Sequence, residues 1–321
     1  MSKWRASKAA LVLASSAILL LLAAWSADAA YPGHNGHILF RRFQVGGPPG
    51  ANGAFWEMGP DGGAEHRVTA AARRDGGAVS SPDGSRFAFI RIKNRGSADR
   101  LATVLVMVMD ADGSDLRTVG RFATALFAPP MWSPDGSRIA VSASVVCGTH
   151  HVQGMLILDV RTHERKAVCP KGPGRKAFFE SWSSTGLIAF VTDGGRIGTM
   201  TPTGRHARLI TPKRVRGSDP DWSPDGRHLV WGSIFGDESI FVMDRRGRHV
   251  RRLTGPHPFP QDVRQDRSPA YSPNGELIVF DRCCFGPSKT DEIFVMHADG
   301  SSLRRLTHNR AQDYVSSWQP R

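Results

Sequence analysis

A four-residue turn, Ser-Pro-Asp-Gly, returns along this chain at intervals that leave few folds open. It stands at 81–84, follows Trp132 at 133–136 and Trp222 at 223–226, and recurs as Tyr271-Ser272-Pro273-Asn274-Gly275. Trp182-Ser183-Ser184-Thr185-Gly186 is a degraded copy, and Ser317-Trp318-Gln319-Pro320 is a partial sixth at the end of the chain. The motif serines at 81, 133, 183, 223 and 272 are 52, 50, 40 and 49 residues apart. Proline fixes φ at the second turn position, and Asp and Gly accept the bridging and positive-φ conformations that follow. The motif is therefore read as scaffold, with the preceding tryptophan as a wedge packed between neighbouring units.

Each turn leads into a β-rich run such as Arg138-Ile139-Ala140-Val141 or Leu277-Ile278-Val279-Phe280. A second run follows (Val106 to Met109, Ile240 to Met243, Ile293 to Met296), then a second Gly turn and a short last run such as Arg304-Arg305-Leu306-Thr307. With the run before the motif, that makes four strands every ~40–50 residues, the signature of propeller blades. One four-stranded sheet cannot bury both faces alone; neighbours in a ring bury them. The segment from Ile38 to Thr69 supplies three strands without a first, and Tyr314 to Trp318 supplies a first strand without followers. The expected fold is all-β: a six-bladed β-propeller of four-stranded blades, closed by the C-terminal strand pairing into the N-terminal blade.

Residues 1–30 read as a targeting segment. Lys3, Arg5 and Lys8 precede an apolar run from Ala9 to Ala24, and Ala27-Asp28-Ala29 gives a small-x-small cleavage pattern. An uncleaved anchor is the alternative, although the run is short for a span. The domain division is thus 1–30 signal peptide and 31–321 propeller, exported to the periplasm, cell surface or medium, with membrane contact only through the signal segment. Four cysteines in such a chain imply disulfides. Cys147 and Cys169 fall at the two ends of one blade's outer region and are expected to pair; Cys283 and Cys284 are either a vicinal disulfide or two thiols. The net charge is +13, or about +11 without the first thirty residues, whose Lys3, Arg5, Lys8 and Asp28 sum to +2. Such a charge favours anionic partners. Export argues against nucleic acid and leaves envelope polymers or lipid headgroups.

At its six repeats the sequence resembles the TolB-like propeller family, over essentially all of 31–321. The resemblance implies the propeller fold and a binding role within a periplasmic envelope complex. Family members of the TolB type carry a separate α/β domain before the propeller; here the first blade begins almost at the expected cleavage site, so that domain is expected to be missing.

Propeller topology sorts the connections onto two faces. The two short Gly turns share one; the second-to-third-strand loops and the blade-to-blade loops share the other, where irregular sequence points to function. That loop face is basic, with Arg73-Arg74, 171–176 and Lys213-Arg214-Val215-Arg216. At the start of the innermost strands an acid recurs six positions before the motif serine, at Asp75, Asp266 and, in the closing strand, Asp313; Asp219 and Glu180 lie nearby. The candidate ligand- or partner-binding residues are therefore Asp75, Asp219, Asp266, Asp313, Arg74, Lys213, Arg214, Arg216, Arg267 and Arg310. Either the acids offer a channel-mouth site for a polar ligand, with calcium or magnesium as the cation to consider, or they pair with the adjacent Arg74, Arg267 and Arg310. No cofactor and no dedicated metal-ligand spacing is expected, and no Gly-x-Ser-x-Gly elbow occurs. The function expected is a monomeric, non-catalytic binding or scaffold propeller whose partner is a protein or an anionic envelope polymer. The alternative is a channel-mouth enzyme of lactonase, glycan lyase or hydrolase type, with His257, His308 and the acids as its candidates.

Overall fold

The computed structural model describes residues 30–44, 53–70, 75–94, 103–123, 128–234, 238–255, 265–285 and 290–321. Residues 1–29 of the expected targeting segment, Arg73, Arg74 and His257 lie outside them. Among the described residues are 24 strands in six four-stranded antiparallel sheets. The first blade joins β24 (Ala311–Pro320) to β1 (Asn35–Gln44), β2 (Ala54–Met58) and β3 (His66–Arg67). The remaining blades start on the inner strands β4 (Asp75–Ser80), β8 (Met131–Trp132), β12 (Ala177–Trp182), β16 (Gly217–Trp222) and β20 (Asp266–Tyr271), each followed by three strands in chain order. Closure is as the repeat count requires: Ile38 faces Trp318, Phe40 faces Val315 and Arg42 faces Asp313 across β1 and β24.

Each motif folds as a turn locked by its own serine. Ser133 Oγ donates to Asp135 at 2.5 Å and accepts from the Arg138 amide at 2.9 Å, and Ser81 and Ser223 repeat the arrangement. In the degraded copy Ser183 still accepts from the Leu187 amide at 2.9 Å. The core is not central. It lies in six apolar layers, each drawn from two adjacent blades, as where Trp132 packs with Val79, Val106 and Val119 of the blade before it. Trp132, Trp182, Trp222 and Trp318 are all buried in such layers, the wedge role read from the sequence. The Trp132 indole N–H also donates to the Val79 carbonyl, and that of Trp318 to the Gly36 carbonyl, each at 3.2 Å. The first of these bonds joins two blades, and the second ties β24 to β1 within the first blade.

The C-terminus and the segment at 30–34 meet at the turn face. Gln319 donates to the Gly84 carbonyl at 2.7 Å, and Arg321 exchanges two backbone bonds with His34. Tyr31, just before this, is buried, and its hydroxyl donates to the carbonyls of Trp132 (2.5 Å) and Trp182 (3.1 Å) on the third and fourth blades. Gly33 meanwhile bonds Pro273 of the sixth. Residues 30–34 therefore cross the turn-face mouth of the channel, a feature the repeat did not foretell.

Cys147, at the end of β9 (Arg138–Cys147), is disulfide-bonded to Cys169 with Cα atoms 5.8 Å apart, the pairing expected from the sequence. Cys283 is also disulfide-bonded. No described helix is long and apolar enough to cross a membrane.

Candidate functional site at the loop-face mouth of the channel

The inner strands begin at the loop face, so their first residues ring the channel mouth. Three of these are the recurring acids, and each is clasped by an arginine directly opposite on the next strand. Asp75 accepts from Arg91 Nε at 2.6 Å and Nη2 at 2.7 Å; Asp313 accepts from Arg42 at 2.7 and 2.8 Å and from Asn309 at 2.7 Å. Asp266 takes both contacts from Arg282, the Nη2 one at 2.8 Å. These bidentate pairs occupy both oxygens of each carboxylate, and they fall on three successive blades: sixth, first and second. Two of the arginines adjacent in sequence, Arg267 and Arg310, are not the partners. Arg310 is exposed, Arg267 turns elsewhere, and Arg74 is outside the described residues.

Arg267 instead gathers a second set of acids. It contacts Asp291 through Nη2 and faces Asp281 across 3.6 Å, while Asp291 also accepts from the Tyr314 hydroxyl at 3.0 Å. Asp219, on β16, sits at a bulge with φ +52° and accepts from Ser218 Oγ at 3.0 Å. Burial dominates the electrostatics: it pushes Asp219 up to about 6 and Asp281 up to about 7, against the pull of Arg267. Burial raises Asp291 as well. Arg267 itself is held above its ordinary value, because Asp281 and Asp291 more than reverse the lowering that burial alone would cause. On the neighbouring blade, burial lowers Arg41 to about 10. The mouth therefore holds three carboxylates about one guanidinium, whose side chain keeps 25% of its surface exposed. Among the described residues no group of three His, Cys, Asp or Glu side chains is arranged to hold a metal ion.

The basic loops stand outside this ring. Lys213 and Arg214 are exposed, and half-buried Arg216 donates to the Lys213 carbonyl at 2.5 Å, which shapes the loop before β16. The segment after exposed Lys171 forms a short 3-10 helix, Gly172–Lys176. The structure thus separates the sequence candidates into clasped acids, a buried Arg267 cluster and exposed cations. Asp281 and Asp291 were missed because they sit on the second and third strands of the sixth blade, away from the recurring position. The clasping arginines did leave a signal: Arg91 and Arg282 each stand ten residues after a motif serine.

The channel mouth and closed ring give the comparisons their place. TolB of Acinetobacter baumannii superposes over 99% of this chain and 74% of its own, with a TM-score of 0.71 and 17% identity. The fold is a TolB-like propeller. Sequence relatives agree: the Tol-Pal system protein TolB of Nitratidesulfovibrio vulgaris is 34% identical over 178 residues, 53% of this chain and 37% of that protein. TolB of Anaeromyxobacter dehalogenans is 29% identical over 131 residues, 37% of this chain and 26% of that protein. The matched region is therefore well under half the length of these relatives. No family profile matches the chain. An oligogalacturonate lyase of Vibrio parahaemolyticus also superposes, with a TM-score of 0.55 at 12% identity over 88% of this chain and 78% of its own, a likeness of fold alone.

Proposed function

We propose that this TolB-like propeller is an exported binding protein that holds a protein partner at the loop-face mouth of its channel. The observation that carries the reading is the 34% identity to a Tol-Pal system protein. The architecture supports it: a rigid ring presents irregular basic loops around a mouth whose own charges are largely paired, which suits docking better than turnover. The Cys147–Cys169 disulfide supports an oxidising, extracytoplasmic setting. Four of the six outer strands are only two residues long, which supports a monomeric ring.

The test is capture from envelope extract by immobilised protein, identification of the bound species, and titration of that species in purified form. Replacing Lys213, Arg214 and Arg216 by Glu is expected to weaken it at least about tenfold and to reduce its salt dependence. Unchanged affinity removes the loop face from the reading. A captured anionic polymer in place of a protein replaces the partner class, and turnover of a glycan panel that Asp281→Asn abolishes replaces binding by catalysis.

A further inference from the structure

On the turn face the repeat builds one contact at successive blade junctions. The residue opening the second strand of a blade reaches to the motif aromatic of the next. Arg86 lies 4.9 Å over the Trp132 ring and Arg138 lies 5.7 Å over Trp182. Leu187 packs against the layer containing Trp222, and Leu277 against that of Trp318. Between the fifth and sixth blades the corresponding residues are His228 and Tyr271. Here the indole is replaced by a phenol and the cap by an imidazole, and the two residues line a cavity of about 530 Å³. That volume lies within the roughly 300–1,000 Å³ of small-molecule sites.

Its lining has a definite chemistry. Pro224, Met243 and Tyr271 supply flat or polarizable apolar surface, which suits the face and edge of an aromatic ring. His228, His249 and Arg251 supply donors, and Arg251 is anchored by a 2.6 Å bond to the Asp299 carbonyl. Two carboxylates also border the space but are committed to their own turns. Asp225 accepts from Ser223 Oγ and the Arg227 amide, and Asp244 from the amides of Arg246 and Arg248.

We propose that this junction is a binding site for a small planar aromatic carboxylate of about indole size. Its ring packs against Tyr271, Pro224 and Met243 beside the buried layer, and its carboxylate faces Arg251 and the two imidazoles. The site lies on the face opposite the proposed partner surface and stands independently of it.

Indole-3-acetate is the probe, titrated by calorimetry and by the imidazole C–H signals in NMR. The expected result is saturable binding that shifts two histidine signals. His228→Arg with Tyr271→Trp, which installs the pair found between the second and third and between the third and fourth blades, should weaken it at least about tenfold without lowering the melting temperature. Should that double variant fail to fold, Ala298→Phe fills the cavity from another wall and is expected to act alike. Absence of probe binding overturns the proposal, as does equal binding by a folded, cavity-filled variant. Indole binding as tightly as indole-3-acetate overturns the carboxylate assignment.

Discussion

Why the recurring acids take distant partners follows from strand geometry. Neighbours along a strand point to opposite faces, whereas residues opposite each other across a ladder share one. Asp266 therefore meets Arg282, its register partner, and not Arg267, which turns to Asp281 and Asp291. The acids so gathered set a pH dependence. Between the ordinary carboxylate value of 3.8 and their raised values, Asp219 and Asp281 keep protons in the folded chain that the unfolded chain has released. Their contribution makes stability fall as pH rises from about 4 to about 7. The motif acids carry the other sign: partial burial pushes Asp83, Asp135 and Asp225 up, but serine hydroxyls and backbone amides hold them below their usual value. That contribution is present above the carboxylate range and is lost as pH falls through it. Asp281→Asn is expected to flatten the decline of melting temperature from about pH 4 to about pH 7; an unaltered slope would assign the decline to other groups.

Two elements bear on ring closure, the closing strand and the segment at 30–34. The closing strand β24 lies against the Ser81 turn so tightly that a Cβ on Gly84, whose φ is +69°, would sit 2.0 Å from the Pro320 carbonyl oxygen. Gly84→Ala combines that collision with a disfavoured conformation, and a large loss of stability is expected in denaturant titration. Deleting 311–321 removes the inner strand of the first blade, and cooperative unfolding should disappear from the melting curve. A truncated chain that melts like the intact one would refute closure as the source of cooperativity. In the segment at 30–34, Tyr31→Phe removes hydroxyl bonds to two carbonyls on neighbouring blades. A loss of about 1–3 kcal/mol is expected from equilibrium unfolding.

For the molecule as a whole, stability is shared among six inter-blade layers and a small number of covalent ties. The Cys147–Cys169 bridge spans 22 residues, and in the chain-entropy account a loop of that length contributes about 3 kcal/mol. Replacing both cysteines by serine should lower unfolding stability by that order while leaving the circular dichroism of the ring intact. A loss of β signal would mean that the bridge is needed for the third blade to form. The net charge of +13 acts at this scale too, as a positive field of the whole molecule that favours anionic partners.

The repeat alone determined the all-β class, the blade number, the four strands of each blade, the closure and the Cys147–Cys169 pair. All of these follow from periodicity and turn chemistry, which are local and written in order along the chain. Tertiary structure decided what depends on which strands lie side by side. The Asp–Arg clasps, the gathering of Asp219, Asp281 and Asp291 about Arg267, the reach of Tyr31 across the channel mouth, and the cavity beside Tyr271 all join residues from different strands or different blades. Register and burial, which arise only when the ring closes, select those partners, and no spacing along a single blade encodes them in full.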